Sequence, residues 1–508
     1  MSGLVFCLDS GTTAVKAAAF DRRGRLVATA QRPNSALRRS GEKVEQDMEV
    51  SRDDALAVLA ECVAQAEGMP VGLIITGQGD GTWPLDAEKR PAGLAMTWLD
   101  GRARGLVSEL TQANALAPIE DVTFSRPTAA SQSMHLLWLA QHEPDRLERI
   151  AHTLRLKEWL FFCLTGELKA EPSALLPTWG DWRTGKLSPI VEQALGLPKG
   201  IDLLPEVLPV GACRAGLTPE AAKMTGLPEN LPVLIGPGDV QSTLIGLGLG
   251  VAEGIERCSI FGTSAIHGCF MLDPAGMAER PAGMMVQPFA LGEGYICFHP
   301  SFNGATLFEH LSHMTGRAPT GSAVEPVYSG LVLQPFFEPG GERAPYTTPH
   351  ARGSILGLTA ATTAAEIDWA GREALAFIAR RSHEMMQSGP IGSVSGAIAL
   401  GGGLAGDRAF AQFLATTTQS PVLRTTNGQA GLKGAGAIAA FHLFGLSRKD
   451  LTEGWLGAYD ELIEPETGAV AEYAEAKYAL FTRLVEAVSP HWDALARLDA
   501  MQKRIGLS

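Results

Sequence analysis

No Cys-x-x-Cys pair occurs in this chain, and its seven cysteines (Cys7, Cys62, Cys163, Cys213, Cys258, Cys269 and Cys297) lie far apart. Zinc-ligand spacing and a disulfide framework are both missing, so reduced thiols are expected. An excess of positive charge is lacking too. Lys and Arg number 42 against 55 Asp and Glu, a formal net charge of -13. Without a basic field to displace counterions from phosphates, nucleic acid is not an expected partner. Uncharged apolar runs of about 18 residues are absent, so no membrane-spanning helix is expected. The opening run Leu4 to Leu8 has no basic stretch before it and is too short for a signal peptide, which points to a cytoplasmic protein. A Walker loop, G-x-x-x-x-G-K-[ST], is also missing, which argues against a P-loop nucleotide fold.

What the chain does have is length and an ordinary globular composition. Its 508 residues are 45% hydrophobic and 19% charged, with 57 glycines and 31 prolines scattered throughout. Single cores stop growing at about 250 to 300 residues, so two large domains are expected. Leu4 to Leu8, Val15 to Phe20 and Arg25 to Ala28 read as strands joined by tight turns. A similar pattern returns at Glu256 to Phe261 and Ala265 to Met271, pointing to an internal duplication. Further strands are expected at Val71 to Ile75, Pro232 to Ile235, Leu331 to Pro335 and Gly396 to Leu400. Helical periodicity marks Asp53 to Ala66, Met134 to Ala140, Glu158 to Leu164, Ala364 to Met386, Asp407 to Thr417, Gly434 to Phe444 and Ala471 to Ala496. Strands followed by helices in both halves give two α/β domains, with the boundary between Leu244 and Gly254.

Chemistry enters at the turns. Asp9-Ser10-Gly11-Thr12-Thr13 places backbone N–H groups and hydroxyls at one point between two strands, a donor cluster suited to phosphate. Asp9 is placed to hold a cation through water, and Lys16 to reach a phosphate oxygen. A lone D-x-G-T-T reads equally well as an ordinary hairpin, but the second turn, Gly262-Thr263-Ser264, tips the balance. Gly401-Gly402-Gly403, followed by Gly406, satisfies G-x-G-x-x-G, so a Rossmann dinucleotide site enters the comparison. Arg424 stands where such a site would need an acidic residue for the ribose. An NADP site survives that test. Coming after two phosphate turns, however, the stretch is better read as backbone passing close to an adenosine.

Taken together, these turns, Gly77-Gln78, Trp98-Leu99-Asp100-Gly101-Arg102, Gly236-Pro237-Gly238-Asp239, and the segment from Gly341-Glu342-Arg343-Ala344-Pro345 to Gly357-Leu358-Thr359 resemble the FGGY carbohydrate kinases along nearly the whole chain. That resemblance implies two actin-like ATPase (ribonuclease H-like) α/β domains with a central cleft. The expected division is 1-246, with the acceptor site and first phosphate turn, and 247-508, with the second turn and adenosine site. It further implies ATP with Mg2+, transfer of the γ-phosphoryl group to a hydroxyl of a small sugar or polyol, and Asp239 as general base. ATP and phosphate contacts are expected from Asp9, Ser10, Gly11, Thr12, Thr13, Lys16, Gly262, Thr263, Ser264, Gly304, Gly401, Gly402, Gly403 and Asp407. Acceptor contacts are expected from Gln78, Asp80, Trp83, Trp98, Asp100, Asp239 and Gln241. Mg2+ would sit at Asp9 and Asp239 through water, and a homodimer is left open. A single Gly-x-Gly-Asp would otherwise be read as a helix N-cap, and the two tryptophans as core.

Acceptor choice is read from Gly77-Gln78-Gly79-Asp80-Gly81-Thr82-Trp83. Xylulokinases usually carry Met-His after Gly-Gln, and glycerol kinases Arg-Glu after the equivalent Gln. A carboxylate accepts from two neighbouring hydroxyls, so Asp80 favours a vicinal diol and Gly79 leaves room. With Glu45-Gln46-Asp47-Met48 and Trp98-Leu99-Asp100, the pattern is most similar to the erythritol kinase branch. Gln429, Ala361 and Ala170-Glu171-Pro172-Ser173 depart from the family's usual residues, which argues against a close copy of xylulose or glycerol recognition. The alternatives are a xylulokinase-like pentulose kinase and an actin- or chaperone-like ATPase module without a sugar substrate.

Overall fold

The computed structural model describes residues 3–274, 280–316, 325–338, 341–348, 350–387, 396–426, 428–456 and 459–505. The chain forms two compact α/β units. The first comprises Met1–Ala252, Met285–Ile296 and Gln429–Gly457; the second comprises Glu253–Met284, Cys297–Gly428 and Ala458–Ser508. This differs from a single cut at 246/247, because segments 285–296 and 429–457 fold with the first unit. Among the described residues no helix is long and apolar enough to cross a membrane.

Each unit is built on the same run of five strands. In the first, Ala14–Asp21 lies antiparallel to Gly3–Ser10, then Met69–Gly77 and Pro232–Ile235 follow in parallel, and Arg214–Gly216 closes antiparallel. In the second, Ala265–Met271, Arg257–Phe261, Ile398–Gly402, Val422–Arg424 and Glu461–Ile463 repeat that order and those directions. The expected duplication is therefore present in the backbone. Parallel strands are apolar on both faces when helices cover both. Leu4, Val5, Phe6, Cys7 and Leu8 are all buried accordingly, as are Leu73, Ile74 and Ile75. The second unit has its own core, around Phe261, Leu400, Phe410, Phe413 and Trp369.

Helix boundaries follow local chemistry. Asp47 accepts from the amides of Glu49 and Val50 and starts the helix Met48–Gln65 several residues ahead of the periodic stretch. The expected single helix Ala471 to Ala496 is in fact two, Ala469–Val488 and Trp492–Ile505, separated by a 3-10 turn at Ser489–His491. Pro490 explains the break, since its ring cannot donate and clashes with the preceding turn.

Helix Asp239–Gly246 crosses helix Ala430–Phe444 at very short range, because both present glycine at the contact. A Cβ on Gly246 would overlap the carbonyl of Ala430, and one on Gly434 that of Ser242. Backbone lies on both sides, so no side chain can move aside. Gly434→Ala is expected to force the helices apart at about 1–3 kcal/mol or more, lowering the unfolding midpoint and, through displacement of the Asp239 helix, the turnover. An unchanged midpoint by calorimetry would refute so close a crossing.

Candidate active site

Three parallel strands of the first unit end on the same side of the sheet, Pro232–Ile235 two residues before the other two, and the residues that leave those ends form the candidate site. Pairing sets Asp9 beside Thr76 and Ser10 beside Gly77, and the amide of Gln78 donates to the carbonyl of Ser10 at 3.2 Å. From the third strand the chain runs through Gly236, Pro237 and Gly238 into the helix that begins at Asp239. Thr76 Oγ1 donates to the carbonyl of Pro237 at 2.7 Å, tying the second strand to this junction. A Cβ at Gly238 would stand 3.2 Å from the Cα of Gly79, so the two loops are in contact.

Asp9, near the end of its strand, and Asp239, at the start of its helix, are both partly buried. Burial raises the Asp9 carboxyl to about 6, with Lys16, its cross-strand partner, pulling it back. Asp239 is raised to about 7, first by burial and then by the negative charge of Asp9, against the opposing pull of the Val240 amide. Asp9 Oδ1 is buried without a hydrogen-bond partner. Two neighbouring carboxylates, the charge of Asp9 raising the proton affinity of Asp239 and Asp9 itself keeping an open lone pair, form a donor set that suits a hard divalent cation.

A buried ion-paired network lies behind the Asp239 loop, and the sequence reading did not identify it. The amide of Gly238 donates to Ser173 Oγ at 3.2 Å, and Ser173 Oγ donates to Glu171 at 2.6 Å. Glu171 pairs with Lys157 at 2.8 Å, and both side chains are buried. The available signal was a Lys-Glu pair inside the apolar run Leu156 to Leu164, since charges buried on such a face need partners.

The other expected residues divide by whether the fold already occupies them. Gln78 is buried with both ends of its amide unpartnered, and Ser10 Oγ is in the same condition. Asp80 accepts from the amide of Gly81 at 3.1 Å. Trp98 Nε1 donates to Thr12 Oγ1 at 2.7 Å, which links the acceptor segment to the first turn. Thr13 points to solvent. By contrast, Gln241 is fully engaged with Gln287, Pro288 and Ala290. Asp100 is held by Arg102 and the amide of Val44. Trp83 is wholly buried in the core with Leu154 and Ala95, its Nε1 without a hydrogen-bond partner.

In the second unit Gly262-Thr263-Ser264 turns between strands, with the Gly262 amide donating to Ser264 at 3.0 Å. Gly304 packs against it so closely that a Cβ would stand 2.6 Å from the Gly262 carbonyl. Gly402 pairs with Phe261 at a φ of 87° and abuts it, leaving Gly401 and Gly403 on either side. Asp407 caps helix Arg408–Thr418 through the Phe410 amide and pairs with Arg372 at 2.7 Å.

Two family models match the chain: the N-terminal domain of the FGGY family of carbohydrate kinases over residues 4–246, and its C-terminal domain over 303–443. Among curated proteins, the erythritol kinase of Brucella abortus is 26% identical across 97% of this chain and 98% of its own. The xylulose kinase of Bacillus subtilis is 26% identical across 91% and 90%. Among solved structures, the ligand-bound xylulose kinase of Lactobacillus acidophilus overlays with a TM-score of 0.87 over 97% of this chain and 100% of that one, at 19% identity. That overlay shows the same two-domain fold.

The raised carboxyls carry a stability consequence. A carboxyl whose folded pKa exceeds its unfolded value near 4 weakens the fold as pH rises, the penalty being absent below about 4 and complete above the folded pKa. For Asp9 the window runs from about 4 to about 6. Both groups keep some exposure, so water screens part of the effect. Asp9→Asn is expected to stabilise the protein by about 1–2 kcal/mol at pH 8 without divalent cations, and hardly at all at pH 4. Thermal melts at the two pH values test this, and coincident melting points at pH 8 would rule out the penalty.

Proposed function

Because this chain belongs to the FGGY family of carbohydrate kinases, enzymes that phosphorylate a sugar or polyol with ATP, we propose that Asp239 is the general base of that reaction and erythritol or a similar C4–C5 polyol its acceptor. The observation that carries the first assignment is a carboxyl at a strand-to-helix junction, raised to about 7 by burial and by Asp9. A base with a pKa near the working pH combines the required ionised form with real proton affinity. As the acceptor oxygen bonds to the γ-phosphorus, the bond to the bridging oxygen breaks, ADP leaves and Asp239 takes the hydroxyl proton.

Asp9 and Asp239 are the residues that would hold Mg2+ through water, and the cation would neutralise phosphate charge and lower their mutual repulsion. In the first unit Ser10, Gly11, Thr12, Thr13 and Lys16 serve the phosphates. In the second, Gly262, Thr263, Ser264 and Gly304 form a turn of the same kind, and Gly401–Gly403 run past the adenosine. Gln78, Asp80 and Trp98 contact the acceptor. Asp100, Gln241 and Trp83 support that pocket from behind, and Asp407 anchors the helix after the third glycine stretch. Residues 1–246 carry the acceptor site and first turn, 247–508 the second turn and adenosine site. A cytoplasmic location belongs to the same reading. The full-length match to an erythritol kinase and the Gly79-Asp80 pair support the polyol over a pentulose.

Asp239→Asn is expected to leave ATP binding near the parent value while turnover falls ~100-fold or more; turnover within a few fold, in a coupled ADP-release assay, would sink the base assignment. Asp80→Ala strands acceptor hydroxyls in a desolvated pocket at about 1–3 kcal/mol per group. Its acceptor KM should rise while its ATP KM holds, and the parent should favour erythritol over xylulose. Unaltered acceptor kinetics would remove Asp80 from the pocket, and a strong preference for xylulose would replace the polyol with a pentulose.

A further inference from the structure

Strand Gly81–Leu85 pairs antiparallel with His152–Leu154, Trp83 standing opposite Leu154. Thr82 precedes Trp83 on the one strand and Arg155 follows Leu154 on the other, so the two chains bring these residues to the same end of the pairing. Asp80 stands just before the first strand, and its charge acts on Arg155. His135 lies at the same end, with Nδ1 3.0 Å from Thr82 Oγ1.

Arg155 is fully buried. Its Nη2 donates to the carbonyl of Ala174 at 3.1 Å and to Thr178 Oγ1 at 3.4 Å, while Nε and Nη1 have no hydrogen-bond partner. His135 Nε2 is likewise buried and unpartnered, and burial keeps its ring neutral by lowering it to about 4. A desolvated guanidinium with two idle donors is strongly disfavoured unless something else accepts from them. Burial pulls Arg155 down, and the anions that hold it charged are Glu158, Asp80 and Glu171. Glu158 is bonded to the Arg155 amide and Glu171 to Lys157 and Ser173. Asp80 is the one among them placed on the acceptor segment.

We infer that Arg155 is a specificity-determining residue of the acceptor pocket, its Nε and Nη1 donating to a hydroxyl of an uncharged polyol whose neighbouring hydroxyl donates to Asp80; this rests on the kinase reading above. Arg155 and Asp80 supply that pocket with a donor and an acceptor of opposite charge. A hydroxyl pair matches both. A sugar acid would bring a carboxylate to a region that already holds Asp9, Asp80 and Asp239, and is selected against.

Arg155→Lys keeps the charge and withdraws the forked donors. In the full-length enzyme it should raise the KM for erythritol ~10-fold or more, leaving the KM for ATP and the unfolding midpoint in place. Erythritol should also stabilise the parent against heat without ATP, and the variant much less. Should the variant not fold, the parent alone decides: it should use erythritol at least ~10-fold better in kcat/KM than the C4 sugar acid erythronate. Equal stabilisation of parent and variant by erythritol, an unchanged erythritol KM, or a preference for erythronate overturns the inference. The binding measurement separates the two readings. Erythritol stabilisation that depends on Arg155, without ADP release, sinks the kinase reading and leaves this one standing.

Discussion

Two carboxylates, Asp9 and Asp239, are brought to the same end of one sheet, and the negative charge of Asp9 raises the proton affinity of Asp239. Left to relax, like charges in a partly desolvated site separate or take up protons. The first unit resists separation from several directions. The parallel register fixes Asp9 level with Thr76, whose hydroxyl holds Pro237. The Lys157–Glu171 pair holds Ser173 under the Gly238 amide. Behind, the helix beginning at Asp239 lies against Ala430–Phe444 at a separation only glycine permits. A site of this kind is less stable than a neutral one, and the glycine crossing and the buried ion pair hold its parts in place.

The duplication shows which features are architectural and which belong to the chemistry. In both units a parallel strand ends in glycine beside the turn strand: Gly77 beside Ser10, and Gly402 beside Phe261. A Cβ at Gly77 would stand 2.7 Å from the Ser10 carbonyl, and one at Gly402 would overlap that of Phe261. Both positions need the backbone to pass the turn without a side chain, a steric demand inherited by each copy. The acidic residues are not shared in this way. Asp9 stands just before the first turn, while the strand before the second turn ends Ser-Ile-Phe.

Periodicity and turn chemistry made the strands and longer helices legible, because a buried parallel strand needs an apolar run and a phosphate turn needs glycine and hydroxyls. Ala265–Met271 and Pro232–Ile235 were read to the residue. What was not legible depends on tertiary contact. Helix Ala430–Phe444 lies late in the sequence yet folds with the first unit, and nothing local to Gly434 reveals that its neighbour is Ser242. The small sheet carrying Lys43–Gln46, Gly81–Leu85 and Ala95–Thr97 escaped because its strands are short and mixed in polarity. Arg155 and His135 escaped for a related reason: one Arg after a three-residue strand reads as a solvated side chain until pairing with Gly81–Leu85 buries it.

Motifs alone rank Gln78, Asp100 and Gln241 equally as acceptor contacts, and the hydrogen-bond accounting separates them. Asp100 and Gln241 already have protein partners. Gln78, Ser10, Arg155 and His135 present buried polar atoms that the protein leaves unmet. Ser10 and Gln78 stand at the adjoining ends of two parallel strands, and on the reading proposed above a polar acceptor would complete groups of this kind. Selectivity follows from the same accounting. An acceptor with a missing hydroxyl leaves one of these groups desolvated and unpaired, which discriminates more strongly than any change in apolar bulk.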